Sequence, residues 1–203
     1  MGHPTASARL RARARESRGV AIMEAAILTP VFFVLVFGVI ELGLAAADQL
    51  ALSSAVRAGS RTASASGNDP YADYGTVRAV LRESKALPRN QIEYIVVYRA
   101  SGFGESPPAG CIDGSPQSTS TVRCNVYRAS DWSLPKARWG CSNPATSPDR
   151  HWCPTTRKVT LSGAGSEFVG VWMKVRHPWV TKIFGNARTM TDGSVIRLEP
   201  RLK

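Results

Sequence analysis

Residues 25–40, AAILTPVFFVLVFGVI, carry no charged side chain, and no other feature constrains the chain as much. From Val20 to Ala47 only Glu24, Thr29 and Glu41 interrupt an apolar or small-residue stretch. As a helix, Val20 to Leu44 would measure roughly 37 Å, enough to cross a hydrocarbon layer of about 30 Å with some tilt. Mean hydropathy over the whole chain is only −0.13, so this span stands against an ordinary water-soluble remainder.

Charge around the span sets its expected orientation. Arg9, Arg11, Arg13, Arg15 and Arg18 precede it against Glu16 alone, whereas the first charges beyond it are Asp48, Arg57 and Arg61. Positive flanks stay in the cytoplasm, which places the N-terminus inside and the rest outside. All four cysteines, Cys111, Cys124, Cys141 and Cys153, fall on the outer side, where disulfides persist. Short loops favour the pairing 111–124 with 141–153, and the lack of any Cys-x-x-Cys pair disfavours a zinc site. No metal or other cofactor is expected.

The net charge of +11 raises the question of nucleic acid. Five of the arginines and Glu16 lie in residues 1–19, leaving 21 basic and 14 acidic side chains downstream, a net of +7. That excess gathers in residues 157–203, with nine Lys/Arg and three Asp/Glu. So diffuse an excess reads as a solvated face, and nucleic-acid binding is not expected.

Residues 1–19 lack apolar periodicity and read as a basic, disordered cytoplasmic leader. The membrane helix (20–45) is expected to continue outward over 46–66, ending about Thr62 before the breaker cluster Ser66-Gly67-Asn68-Asp69-Pro70. Small residues recur every four positions there: Gly43, Ala47, Ala51, Ala55, Gly59 and Ala63, a seam on which another helix can approach closely. An extracytoplasmic domain fills 67–203. It begins with a short amphipathic helix over 71–87 carrying Tyr74, Val77 and Leu81 on one side.

Strands are expected over 91–99, 122–127, 158–162, 168–177 and 189–198, the last antiparallel to its predecessor across a loop at 178–188. In residues 168–177, Val169, Val171, Met173 and Val175 alternate with Gly170, Trp172, Lys174 and Arg176. Residues 101–156, rich in Cys, Trp and Pro, form a disulfide-stapled loop region. The fold class is therefore α+β: a long N-terminal transmembrane helix extending outward, a short helix, and a small antiparallel sheet.

No catalytic constellation emerges. His3, His151 and His177 are scattered, Ser133-Leu-Pro-Lys136 has a proline inside its Ser-x-x-Lys spacing, and no glycine-rich phosphate loop or Gly-x-Ser-x-Gly occurs. Glu24 and Glu41 would stand about 25 Å apart on one helix, too far for paired acid–base work. An enzyme is not expected.

Glu24 at the mouth of a membrane span admits several readings. It suits the positive end of a helix dipole in a plain anchor. Ala45-Ala46-Ala47 also offers a secretory cleavage triplet, although the apolar region is long for a signal peptide and Glu41 lies close to the cut. The combination Arg18-Gly19, Glu24, Ala26, Pro30, Gly38, Glu41-Leu42-Gly43 and Ala55-Val-Arg-Ala58-Gly-Ser-Arg61, with Arg197-Leu-Glu-Pro200 near the end, resembles the TadE-like minor pseudopilins of Tad (Flp-type) pilus systems.

That resemblance implies cleavage between Gly19 and Val20 by a prepilin peptidase. It also implies partnership with other pilin or pseudopilin subunits, with the assembly platform and with inner-membrane lipid. Cleavage would leave a positive α-amino group on Val20, and Glu24 four residues on would neutralise it in its own chain or a neighbour's. Pro30 cannot donate its backbone hydrogen bond, so a kink is expected near 26–30. The alternative function is a membrane-tethered or secreted module whose basic, stapled domain captures DNA or polyanionic glycan.

Overall fold

The computed structural model describes residues 6–160 and 165–200. Helix α1 runs Ala6–Ser66 with Pro30 inside it, and α2 runs Ala72–Glu83. Five strands follow: β1 (Ile92–Ala100), β2 (Gln117–Ser118), β3 (Arg123–Tyr127), β4 (Phe168–Pro178) and β5 (Ala187–Arg197). Contacts divide the chain into two compact units, residues up to Leu44 and residues from Ala45 onward.

In the first unit, residues 6–19 are helical rather than the disordered leader expected. Their alternating Arg and Ala are strong helix formers, and no proline intervenes before Pro30. From Val20 the helix is long and apolar enough to cross a membrane, with an 18-residue window of mean hydropathy 2.4 that nothing in the chain buries. Val31, Phe32, Leu35 and Val39 are among its exposed side chains. This is compatible with a single-pass anchor.

The second unit is the α+β domain. Its sheet is antiparallel throughout in the order β2-β3-β1-β4-β5, with Ile95 opposite both Tyr127 and Met173, and Val171 opposite both Val97 and Ser194. Of residues 158–162, expected as a strand, residues 158–160 are irregular and 161–162 lie outside the described residues. The sheet's five strands run β2-β3-β1-β4-β5, and residues 158–160 join neither edge.

One face of the sheet packs against helix. Leu52, Ala55 and Val56 of α1 and Val77 and Val80 of α2 share a core with Ile95, Val97, Val169, Val171, Met173 and Val175. The alternation read in β4 is thus the pattern of its helix-facing side. The opposite face is covered as well, by Tyr94, Val96, Tyr98 and Trp172 packed with the disulfide of Cys111 and Cys124. Gly170 makes this second layer possible, because a Cβ there would stand 2.1 Å from the Tyr98 ring.

Disulfides join Cys111 to Cys124 and Cys141 to Cys153, the two short loops favoured by spacing. Between β1 and β4 the chain otherwise forms single helical turns, at Ala109–Ile112 and Ala129–Trp132, and irregular segments.

Candidate functional site

The residues singled out in the sequence occupy two regions. Gly19, Val20 and Glu24 lie on α1 at the start of its apolar stretch, one helical turn separating the exposed Val20 from the exposed Glu24. Pro30 sits nearly three turns inside that stretch, with helix on both sides of it.

The small-residue seam divides. Gly43 meets nothing within 4 Å, Ala47 is exposed and Ala51 half-buried. Ala55, Gly59 and Ala63 are buried in the domain itself. At Gly59 a Cβ would come within 2.4 Å of Val80 Cγ2 on α2 and 3.2 Å of Val171 Cγ1 on β4. The helix that uses the seam's outer half is therefore α2 of the same chain.

A buried polar cluster, not foreseen in the sequence, ties the helical layer to the stapled loops. Asp73, in the first turn of α2, is fully buried, and Arg157 Nη2 lies 2.7 Å from each of its carboxylate oxygens. Asn125 Nδ2 and the Tyr127 hydroxyl also donate to Asp73 Oδ2, at 2.9 and 2.5 Å. Asn125 exchanges two further bonds of 2.9 Å with the backbone of Trp152, and the Arg157 guanidinium stacks 4.1 Å from the Trp152 ring.

Burial, reinforced by the negative charges of Asp73 and Asp149, holds the Tyr127 phenol well above its ordinary pKa. Asp149 closes the neighbouring loop by accepting from the Gly140 and Cys141 amides at 2.6 and 3.0 Å; its burial raises its pKa, with those two bonds opposing. Asp73, Asn125, Tyr127, Asp149 and Arg157 are all buried, and their bonds tie α2 to the stapled loops as a structural clamp.

The candidate nucleophile and histidines behave likewise. Ser133 donates to the Ser130 carbonyl at 3.0 Å, while the Lys136 ammonium sits 4.4 Å from the Tyr71 ring centroid, so the two do not form a reacting pair. His177, scattered in sequence, has a spatial partner: its Nδ1 is 2.6 Å from Asp48 Oδ2. His3 lies outside the described residues, and among those described no cluster of three or more His, Cys, Asp or Glu side chains offers a metal site. Part of the late basic excess is consumed internally, by Arg157 on Asp73 and by Lys174 on Glu93 at 3.3 Å.

A surface depression lined by Arg99, Glu105, Lys158, Glu167 and Phe168 among others is open and already holds an Arg99–Glu167 ion pair of 3.0 Å. No curated protein and no solved structure matches the chain. Residues 19–61 match the family model described as TadE-like protein, which begins at Gly19 and ends on the helix that packs into the domain. Over those residues the chain is similar to the TadE-like family.

Proposed function

We propose that this chain is a minor pseudopilin of Tad pilus assembly, anchored in the inner membrane by α1 with its N-terminus inside and its α+β domain outside. The family match over 19–61 carries this reading. A prepilin peptidase removes residues 1–19, and Val20 becomes the new N-terminus. Glu24, exposed one turn further on, then neutralises the new α-amino group in its own or a neighbouring subunit, lowering the cost of either charge near lipid. The protein contributes surface and charge rather than chemistry.

Capture of DNA or glycan is the weaker reading, since two of the basic side chains it relied on, Arg157 and Lys174, are neutralised within the domain. Co-expression with the cognate prepilin peptidase, followed by N-terminal sequencing and intact mass, tests the proposal. A start at Val20 supports it; an intact Met1 overturns it, and a start at Asp48 marks a secreted protein instead. Replacement of Glu24 by Gln should leave cleavage intact and reduce pilus assembly.

A further inference from the structure

The two stapled loops share a pocket that contains none of the clamp's residues. Its volume is about 260 Å³, just under the ~300–1,000 Å³ of sites that hold drug-sized molecules, so it suits one small ring rather than an extended chain. The loop closed by Cys111 and Cys124 supplies Gly114 and Pro116, and the loop closed by Cys141 and Cys153 supplies Pro148, Arg150 and His151. Val126 of β3, with Arg128, Ser130 and Asp131 just beyond that strand, completes the wall.

Arg128 is seated there by the fold. Its Nη2 donates to the Gly114 carbonyl at 2.8 Å, and its guanidinium carbon lies 5.0 Å from the centroid of the Tyr94 ring. Its own amide donates to Asp131 Oδ2 at 2.8 Å. Gly114 permits this approach: its φ is +81°, and a Cβ on it would stand 2.6 Å from Arg128 Nη2. Arg150 is likewise held, its Nη1 donating to the Ser147 carbonyl at 2.9 Å. A guanidinium carries five N–H donors, and among the described residues neither of these two arginines forms an ion pair. Arg99, Arg157 and Lys174, by contrast, are spent on acids.

The rest of the wall narrows the ligand. Two fixed guanidiniums select an oxyanion. Ser130 and Asp131 stand in the same wall as hydrogen-bond acceptors, which call for hydroxyl donors on the molecule that carries the anion. Pro116 and Val126 offer apolar surface to the C–H face of a ring. Burial, and after it the charge of Arg150, hold the His151 imidazole below its ordinary pKa, so the arginines supply the positive charge at neutral pH. His151 Nε2 is shielded from solvent and has no hydrogen-bond partner among the described residues, which makes this ring a sensitive reporter of the pocket.

We propose that this pocket binds a small hydroxylated carboxylate of the acidic-sugar class, with Arg128 and Arg150 taking the carboxylate and Asp131 a ligand hydroxyl. A built pocket here recognises one acidic sugar, which differs from capture of a polyanion by net charge. The inference depends on neither the membrane anchor nor pilus assembly.

The test titrates galacturonate into the full chain in neutral detergent micelles, with isotope-labelled histidine, and follows the imidazole signals by NMR. His151→Gln assigns the His151 signal. The His177 signal, from the pair with Asp48, verifies that each variant is folded. Galacturonate should shift the His151 signal saturably and neutral galactose should not. Arg150→Gln should weaken binding by about ten- to a hundredfold. Arg128→Lys, which keeps the charge and loses the planar fork, should weaken it as well. Arg188→Gln, which removes an exposed charge on β5 outside the pocket, should leave it unchanged.

Oligogalacturonate that binds at least as tightly as the free sugar identifies the end of a glycan as the source, and weaker binding identifies the free acid; either supports the site. The absence of a saturable shift overturns it. Equal losses from Arg150→Gln and Arg188→Gln overturn it in favour of net charge. A response to galactose, inorganic phosphate or glycine equal to that for galacturonate overturns the acidic-sugar assignment.

Discussion

Arg157 and Asp73 stand 84 residues apart in sequence, yet the guanidinium lies 2.7 Å from both carboxylate oxygens and neither side chain is exposed. A buried pair of this kind is costly to break from one side, because the remaining charge has no water to turn to. It welds the first turn of α2 to the end of the stapled loops.

Replacement of Arg157 by Met should therefore destabilise the domain by about 3–5 kcal/mol. Urea unfolding of the full chain in detergent, followed by tryptophan fluorescence, measures it. The double variant Asp73→Asn with Arg157→Met should recover part of the loss, since no uncompensated charge remains. Equal stability of the single and double variants would contradict the clamp.

Gly59 and Gly43 give opposite expectations although both belong to the same small-residue seam. Gly59→Val forces side-chain atoms into Val80 and Val171, for a loss of about 1–3 kcal/mol. Gly43→Ala meets open space and should leave domain unfolding unchanged. The same urea titration distinguishes them.

Alkaline stability depends on two phenols. Tyr127 is raised by burial and by Asp73, and Tyr98 by burial and then by Glu105. An unfolded tyrosine releases its proton near pH 10 and these release theirs higher, so above pH 10 the folded chain binds more protons and stability falls as pH rises. Each contributes about 1.4 kcal/mol of loss per pH unit in that window. Tyr127→Phe should flatten the slope of urea midpoint against pH above 10 while lowering stability at neutrality through the lost bond to Asp73.

Alkylation without reductant should label none of the four cysteines, and reduction should expose all four. Removing either disulfide should cost about 3 kcal/mol, given loops of 13 and 12 residues. Full labelling of unreduced protein would refute the pairing.

Much of this architecture was legible in the residues. A charge-free run long enough for lipid, a breaker cluster from Ser66 to Pro70 and alternation in β4 are each visible in the residues, and the corresponding elements are present, with α1 running to Ser66 rather than ending about Thr62. Residues 158–162 show the limit of that logic. Residues 158–160 are irregular despite their β-rich composition, and Lys158 is tied instead to Glu167, its carbonyl to the Glu167 amide and its own amide to the Glu167 carboxylate.

Contacts set by tertiary placement were not legible. Asp73 in sequence is an ordinary acid in the first turn of a helix, and Arg157 an ordinary member of a basic tail. His177 likewise meets Asp48 from 129 residues away. Nor does the sequence tell that Gly59, one of the recurring small residues, meets Val80 of α2 and Val171 of β4 in the same chain.

The bonds from Ser64 to Arg197 and from the Glu199 amide back to Ser64 close the chain's early helix on its late strand. Such contacts span more than 130 residues, so they form late and slow the search for the native state. While the domain emerges N-terminus first, the apolar side of α1 that later packs on the sheet, including Leu52 and Val56, is not fully covered until β4 arrives. That interval is when a holding factor has most to offer, and when a stalled polypeptide is most open to proteolysis.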